Sequence, residues 1–489
     1  MNFEMPLFSL AAPEIFLLCA TSLILLVDVF LIPRYRIVTY ILVQATLVID
    51  FFWVIKQYNE YANPIISFNG NYILDKLALL TKLFVLLTTI FAFIYARQFL
   101  KDRNIPRGEY YIIGLFAVIG MMVMASASSF LTIFLGLELL SVSLYAMVAL
   151  QKDSRLAVEA SMKYFIMGSM ASALLLYGIS MVYGMTGSIQ IIEIAGILQQ
   201  TTHSQEIALL LGLVFILSGL IFKFGAVPFH MWVPDVYQGA PTSVTLFIAC
   251  APKIAAFCVT MRILVEAMPN LNIPWQQVLV VIAILSMFSG NVLAIAQTNI
   301  KRMLAYSSIA HIGYMLLGII AGPGDVEGYS AAMFYIVTYV IVASGAFAVI
   351  ALLSKEGKEF DQLDDFRGLN ARNPWLAFMM LLLMFSMAGV PPTVGFFAKL
   401  GLLEALVQSH YVWLAALALL FSIIGAYYYL RVVMLMYFEE PKGDLFGTHL
   451  SITRGSMVAI TINSIAVLIL GLLPSALIDL CRISLISAS

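Results

Sequence analysis

Charge is scarce in this chain. Of 489 residues only 11% are Asp, Glu, Lys or Arg, less than half the share of about 25% usual in soluble proteins. The 26 basic and 27 acidic residues leave a net charge of −1. No block of like charge forms a tail, so nothing points to nucleic acid or an anionic surface as partner. Cysteine is scarcer still: Cys19, Cys250, Cys258 and Cys481 lie far apart or inside apolar runs. Without a CxxC or a Cys/His pairing they hold no zinc or iron–sulfur cluster, and they read as packing residues. Neither GxGxxG after a strand nor a GxxxxGK phosphate loop is present, which argues against nucleotide binding. Nothing resembles a catalytic triad, and no metal-ligand spacing stands out.

Apolar residues fill the space these absences leave. The chain is 62% hydrophobic with a mean hydropathy of +0.98, the composition of an integral membrane protein. A helix needs about 20 apolar residues to cross the hydrocarbon core. Windows of that length recur about 14 times, near 13–33, 37–56, 73–96, 110–127, 129–150, 159–184, 206–225, 242–267, 275–297, 302–321, 328–353, 375–406, 411–437 and 454–477. The fourth and fifth are separated only by the turn Ala125-Ser126-Ala127-Ser128-Ser129. A transmembrane barrel is excluded, because its strands alternate apolar and polar residues over about 10 positions. The expected fold is an all-α polytopic membrane protein, and the N-terminus, lacking a basic start and cleavage site, reads as a retained first span.

Loop charges set the orientation. Arg34, Arg36, Arg97, Lys101, Arg103, Arg107, Lys152, Arg155, Lys301, Arg302, Lys355, Lys358, Arg367, Arg372, Lys442 and Arg454 fall in loops of one parity. Only Lys56, Lys76, Arg262 and Arg482 are assigned to the other. The excess puts the first set in the cytoplasm and both termini outside it.

Two spans are interrupted. Phe222 to His230 contains Gly225 and Pro228, and Ser386 to Gly395 contains Gly389, Pro391 and Pro392. Proline removes a backbone donor and clashes with the preceding turn, and freed carbonyls in hydrocarbon need protein or water partners. The breaks fall in spans seven and twelve, five apart, so the corresponding spans run in opposite directions. Paired Gly/Pro-interrupted spans of this kind point to two inverted five-helix repeats. The chain then divides into a three-helix segment (1–108), a first repeat (109–270), a second repeat (271–440) and a last span (441–489).

Ionisable residues sit inside the spans: Glu138, Lys163, Lys223, Lys253 and Lys399. A lysine at mid-membrane costs about 2.5–3.5 kcal/mol on insertion scales and marks a charge pathway. Glu138 is expected to pair with Lys223 or Lys163, a pair whose separation would shift both proton affinities. Lys253 is flanked by small residues and Pro252, a setting that admits water. Lys399 follows its break, whereas Lys223 precedes its own. His230 and His311 have the side chain best suited to passing a proton near neutral pH, although a lone histidine in an apolar helix is often a packing residue. Asp28, Asp50 and Lys82 lie outside both repeats and read as structural or interfacial. Tyr427, Tyr428 and Tyr429 read as membrane core and aromatic belt. The residues alone therefore indicate a proton- or cation-conducting transporter with two discontinuous helices.

The segments FKFGAVPFHMWVPDVYQGAPTSVT (Phe222 to Thr245) and NIKRMLAYSSIAHIGYMLLG (Asn299 to Gly318) resemble the antiporter-like subunits of proton-translocating NADH:quinone oxidoreductase, complex I. Related chains occur in Mrp cation/proton antiporters. The opening Ala12-Pro13-Glu14-Ile15-Phe16-Leu17, an end soon after span fourteen and a lysine at position 399 are similar to the family's N branch. The resemblance implies that Glu138 and Lys223 act as a coupled pair, Lys253 as the central proton site and Lys399 as the distal one. It implies that Lys163 connects to a neighbour's charges and that His230 and His311 line the path between lysines. It also implies no cofactor on this chain, with NADH, FMN, iron–sulfur clusters and quinone in partner subunits. Its neighbours would be subunits M and K in a bacterial inner membrane, both termini being periplasmic.

Overall fold

The structure is a computed structural model and describes residues 7–32, 35–103, 105, 107–199, 203–354, 359–441 and 453–486. Of the loop cations, Arg34, Lys355, Lys358 and Lys442 lie outside the described residues.

In chain order the helices begin with α1 (Ala12–Phe30) and α2 (Ile37–Glu60), followed after a hairpin by α3 (Lys76–Asp102), α4 (Arg107–Ala125), α5 (Phe130–Val148) and α6 (Arg155–Thr186). Then come α7 (Ile191–Leu198), α8 (His203–Phe224), α9 (Trp232–Gly239), α10 (Thr242–Ala249) and α11 (Ala251–Thr260), which runs into a π-helical turn at Met261–Ala267. After this lie α12 (Asn272–Ile295), α13 (Ile300–Ala321), α14 (Val326–Leu353) and the short α15 (Leu369–Arg372). The chain ends with α16 (Pro374–Ala388), α17 (Val394–Gln408), α18 (Val412–Phe438), α19 (Arg454–Leu472) and α20 (Ser475–Ile486).

Among the described residues 13 helices are long and apolar enough to cross a membrane. At 1.5 Å per residue, α16 and α17, with 15 residues each, span about 22 Å apiece, too little for a core of about 30 Å. Joined through their break they make one further crossing. α13 and α14 are buried along nearly their whole length, while α1, α2, α6 and α18 leave much of their surface exposed. Small residues set the closest approaches: a Cβ at Gly120 would lie 2.7 Å from the Gly136 carbonyl, and one at Gly290 2.7 Å from that of Tyr306.

These two contacts are displaced by the same 170 residues, and a backbone motif repeats with them. Phe130 N–H donates to Ile189 O (2.9 Å) and Ile191 N–H to Ser128 O (3.1 Å); Ile300 N–H donates to Asp361 O (2.7 Å) and Leu363 N–H to Thr298 O (2.8 Å). Ser129 and Asn299, each N-capping the helix that follows, sit at the centres of these bridges.

Three features depart from the sequence reading. A small antiparallel hairpin, β1 (Ile65–Ser67) with β2 (Tyr72–Leu74), precedes α3. Its turn is carried by Asn69 and Gly70 at φ of 54° and 82°, the left-handed region that these residue types tolerate. The eighth span, expected to be continuous, breaks at Cys250 (φ −116°, ψ −87°) between α10 and α11. The last span ends earlier than expected, and α20 follows it as a separate helix.

Candidate functional site

At the first break α8 ends on Lys223 and Phe224, and Gly225 turns out of it at φ +74°. Gly225 N–H donates to Phe222 O and Ala226 N–H to Ile221 O, both at 3.0 Å, closing the helix as left-handed glycine caps do. Lys223 thus stands in the last turn, where a cation meets the negative end of the helix dipole. Its Nζ donates to Ser141 Oγ at 2.6 Å. Glu138 lies one turn earlier on α5, with Oε1 buried and without a hydrogen-bond partner. The expected Glu138–Lys223 contact is therefore not direct; a serine hydroxyl receives the ammonium. Ser141 was not singled out from sequence, although its i+3 spacing from Glu138 puts it on the same helix face.

Lys163 does not meet Glu138. It pairs with Asp235 (2.8 Å) and Glu159 (2.9 Å), its side chain 42% exposed, because α9 folds back from the first break and brings Asp235 to α6. The other oxygen of Asp235 binds Arg302 at 2.8 Å, so one carboxylate ties α6 to the start of α13. Nearby, Lys301 is almost fully buried and binds Glu359 (2.8 Å) and Ala240 O (2.9 Å). Glu359 also accepts from Thr242 Oγ1 at 2.9 Å. Burial alone would raise the affinity of this loop carboxylate for a proton, but the Lys301 ammonium, the Arg103 guanidinium and the Thr242 hydroxyl together outweigh it and hold Glu359 below the usual carboxylate range.

Lys253 stands in the first turn of α11, 3% exposed. Its Nζ donates to Ser308 Oγ on α13 and lies 4.9 Å from the centroid of the Tyr339 ring. At the displacement of 170 residues, Glu138 and Ser141 on α5 fall on Ser308 and His311 on α13. Each of the two helices thus offers a serine to a lysine from a neighbouring broken segment.

His311 is enclosed by the rings of Tyr314, Tyr335, Tyr339 and Tyr429, with centroids 4.9–6.3 Å away. Its Nδ1 is 2.7 Å from the Tyr335 hydroxyl and its Nε2 2.9 Å from that of Tyr429. A phenol can donate or accept, so both tautomers of the imidazole are satisfied. Tyr429 also meets Ser307, and Tyr428 lies 3.1 Å from both the Tyr429 hydroxyl and Asn291 Oδ1. Tyr428 and Tyr429 are buried in the core, as expected, and in addition belong to the polar network of His311; Tyr427 is exposed.

Lys399, on α17, reaches back across the second break. Its Nζ donates to Met387 O (3.2 Å), Ala388 O (2.9 Å) and Ser422 Oγ (2.9 Å), satisfying carbonyls that the end of α16 frees. Gly389, at φ +87°, lets the lysine stem pass: a Cβ there would lie 3.0 Å from Lys399 Cδ. A cavity of about 20 Å³ lies between Lys399 and His311, with Tyr335, Thr338 and Ser386 in its wall, room for about one water molecule. A second, of about 180 Å³, touches Lys399, Tyr314 and Ser422. His230 joins neither cavity; it is half-buried, and its Nδ1 is buried without a partner among the described residues.

Outside this core Lys82 pairs with Glu14 at 2.5 Å, Asp50 is fully buried with neither oxygen hydrogen-bonded, and Asp28 accepts from Thr39. Arg262 is a correction: it is not a loop cation but lies fully buried in the π-helical turn, bound to Asp75 and Glu266 at 2.7 Å. Among the described residues no cluster of three or more His, Cys, Asp or Glu could hold a metal.

The profile of a family described as NADH:quinone oxidoreductase/Mrp antiporter, TM, matches residues 127–425. Over 483 residues the chain is 51% identical to the NADH-quinone oxidoreductase subunit N of Coxiella burnetii, covering 98% of this chain and 99% of that one. It is 52% identical over 480 residues to the protein of the same name from Thioalkalivibrio sulfidiphilus, covering 98% of each. A chain of the structure of respiratory complex I from Thermus thermophilus with bound aureothin superposes with a TM-score of 0.81 at 30% identity, covering 96% of this chain and 99% of that one.

Proposed function

The chain belongs to the NADH:quinone oxidoreductase/Mrp antiporter membrane family, and from that premise we propose that it is the N-type membrane subunit of an NADH:quinone oxidoreductase. It moves protons across the membrane while other subunits pass electrons from NADH to quinone. One observation carries this reading. Lys223, Lys253 and Lys399 each donate to a serine hydroxyl, Ser141, Ser308 and Ser422, and among the described residues none has a carboxylate in contact. A carboxylate would hold a buried ammonium charged. A hydroxyl accepts from the ammonium and can turn to donate to the neutral amine, so both protonation states are accommodated without moving the backbone.

Lys223 with Glu138 is the coupled pair, Lys253 the central site and Lys399 the distal one. Ser308 and His311, on the same face of α13, lie between the last two, and the small cavity beside His311 supplies a water-sized gap on the way to Lys399. His230 serves the path near the first break. Lys163, tied to Asp235 and half open to the outside, faces the charges of a neighbouring subunit. The repeated backbone bridges and glycine contacts at a displacement of 170–172 residues support two inverted repeats, 109–270 and 271–440, between a three-helix segment, 1–108, and a last span, 441–489. The chain binds no cofactor itself; FMN, iron–sulfur clusters and quinone belong to its partners, and subunits M and K are its neighbours. It resides in the bacterial inner membrane with both termini in the periplasm, which the basic loops support.

Lys253→Met and Lys399→Met test the reading in the assembled complex reconstituted into vesicles. Protons moved per electron transferred should fall in both. An unchanged ratio in both, with the subunit present, would overturn it.

A further inference from the structure

A cavity of about 900 Å³ opens on the face opposite the basic loops, its wall including Asp75, Ser128, Glu266, Trp275, Asp325 and Tyr329. All of these stand at helix ends or loops of the weakly basic parity. Two of the wall residues, Asp75 and Glu266, are the carboxylates that bind Arg262. Arg262 lies behind them, fully buried. On its inner side NH2 reaches Ala125 O at 3.4 Å, and the same carbonyl receives Cys258 Sγ at 3.6 Å, one turn earlier on α11. Lys253 lies nine residues before Arg262, about 13 Å along a helix, with Ala255, Ala256 and Cys258 between them.

We propose that Arg262, with Asp75 and Glu266, is a water gate between the lysine-bearing interior and this cavity, through which protons leave on the weakly basic face. The proposal rests on the proton-translocating reading above. Guanidinium stays charged at any working pH, so an unneutralised Arg262 would repel an approaching proton. Paired on both sides, it seals the cavity floor as a fixed cluster of one cation and two carboxylates, and protonation of Glu266 brings that cluster to neutrality. The backbone that carries it is irregular: span eight breaks at Cys250 and turns π-helical at Met261–Ala267, and π-turns recur at functional sites. Irregular backbone at membrane depth is tolerated where it lines a cavity. Asp75 is held in place by capping α3, where it accepts from Ala78 N–H at 2.8 Å; the Glu266 side chain is the more exposed of the two, 18% against 0%, and is the one that meets cavity water. A proton passed from interior water to the Glu266 carboxylate releases its bond to Arg262, and the same proton then goes to cavity water as the pair re-forms. The ionisable groups facing Arg262 are Asp75 from α3 and Cys258 and Glu266 from its own span, with Asp325 across the cavity. Trp275 Nε1, buried and unpartnered at the cavity wall, has a hydrogen bond to offer the water that fills it.

Cys258 reports on the gate, since it sits directly behind Arg262. The complete complex, in vesicles with the weakly basic face outward, is treated with a small membrane-impermeant thiosulfonate, and the Cys258 peptide is analysed by mass spectrometry. Cys258 should be shielded at rest, modified during NADH turnover, and modified without turnover in Arg262→Gln. If Arg262→Gln fails to assemble, Glu266→Gln is labelled in its place. Shielding of Cys258 both in the turning-over wild type and in the assembled variant would overturn the gate. The parent reading is scored separately: pumping lost in Lys223→Ala with Cys258 always shielded sinks the gate alone. Pumping unaffected by Lys223→Ala sinks the lysine pathway whatever Cys258 does.

Discussion

Removing Lys82 should damage the protein far more than removing its partner Glu14, and removing both should be mild. The Lys82 side chain is fully buried and that of Glu14 9% exposed, with Nζ and Oε1 2.5 Å apart. Tyr72 hydroxyl lies 3.1 Å from the ammonium and 3.2 Å from the carboxylate, so it bridges the two charges. Lys82→Met leaves the Glu14 carboxylate with Asp50, itself fully buried and unbonded, as two acids in one dry region. Stripping a buried pair of one member costs about 3–5 kcal/mol. Glu14→Gln leaves Lys82 with the Tyr72 hydroxyl and with Asp50 as a substitute counter-charge, and the loss should be about 1–3 kcal/mol. The double variant Glu14→Gln/Lys82→Met removes both charges and should cost about 1 kcal/mol or less. Complexes of this kind inactivate irreversibly, so the readout is the half-life of the assembled complex at a fixed raised temperature. At about 1.4 kcal/mol per decade, Lys82→Met should shorten it by roughly a hundredfold to a few thousandfold, and Glu14→Gln in the same chain should restore most of that. A double variant as short-lived as the summed singles would refute the reasoning.

Ser308→Ala deprives Lys253 of its partner and should lower protons pumped per electron while leaving assembly on a native gel intact; full pumping would deny the hydroxyl its role. Tyr429→Phe removes a hydroxyl shared by Ser307, His311 and Tyr428; it should impair pumping more than Tyr427→Phe, whose ring faces outward. Gly120→Val drives side-chain atoms into the Gly136 carbonyl, where even a Cβ would lie at 2.7 Å. Overpacking of this sort costs about 1–3 kcal/mol, to be read as loss of assembled complex, and a normal yield would contradict the contact. Glu359 is held below its usual proton affinity because Lys301, Arg103 and Thr242 together overcome its burial, so its contribution is present above the unfolded carboxylate pKa and lost as pH falls through the lower folded value. Inactivation rates measured against pH should therefore show an acid-side loss that Glu359→Gln flattens.

The crossings and both predicted breaks were legible because bilayer thickness writes itself into sequence as runs of fixed length, and Gly225, Pro228, Gly389 and Pro391 punctuate them locally. The placement of Lys223, Lys253 and Lys399 within the apolar spans was legible for the same reason, whereas Lys163 is 42% exposed. What each lysine touches was not, since the partner comes from a helix far along the chain: Lys223 meets Ser141, Lys253 meets Ser308 and Lys399 meets Ser422. Serine is common and cheap to bury in a helix, where it can bond the preceding turn, so it carries no warning of such a role. Lys163 went to Asp235 because α9 folds back from the first break, a tertiary event invisible in a window of residues. Arg262 was counted with the loops because the charge near a span end was weighed without knowing that Asp75, 187 positions away, was there to receive it. The break at Cys250 has no glycine to mark it, only Pro252 inside the following turn.

The central claim is that buried lysines held on hydroxyls carry the protons. Lys223→Ala, in membranes containing the assembled complex, tests it most directly through simultaneous measurement of NADH-driven proton uptake and inhibitor-sensitive quinone reduction. The account predicts loss of pumping, with electron transfer slowed alongside it, in a complex of normal size on a native gel. Normal pumping in such a complex would make Lys223 a packing residue and contradict the reading of the membrane-centre charges as a pathway.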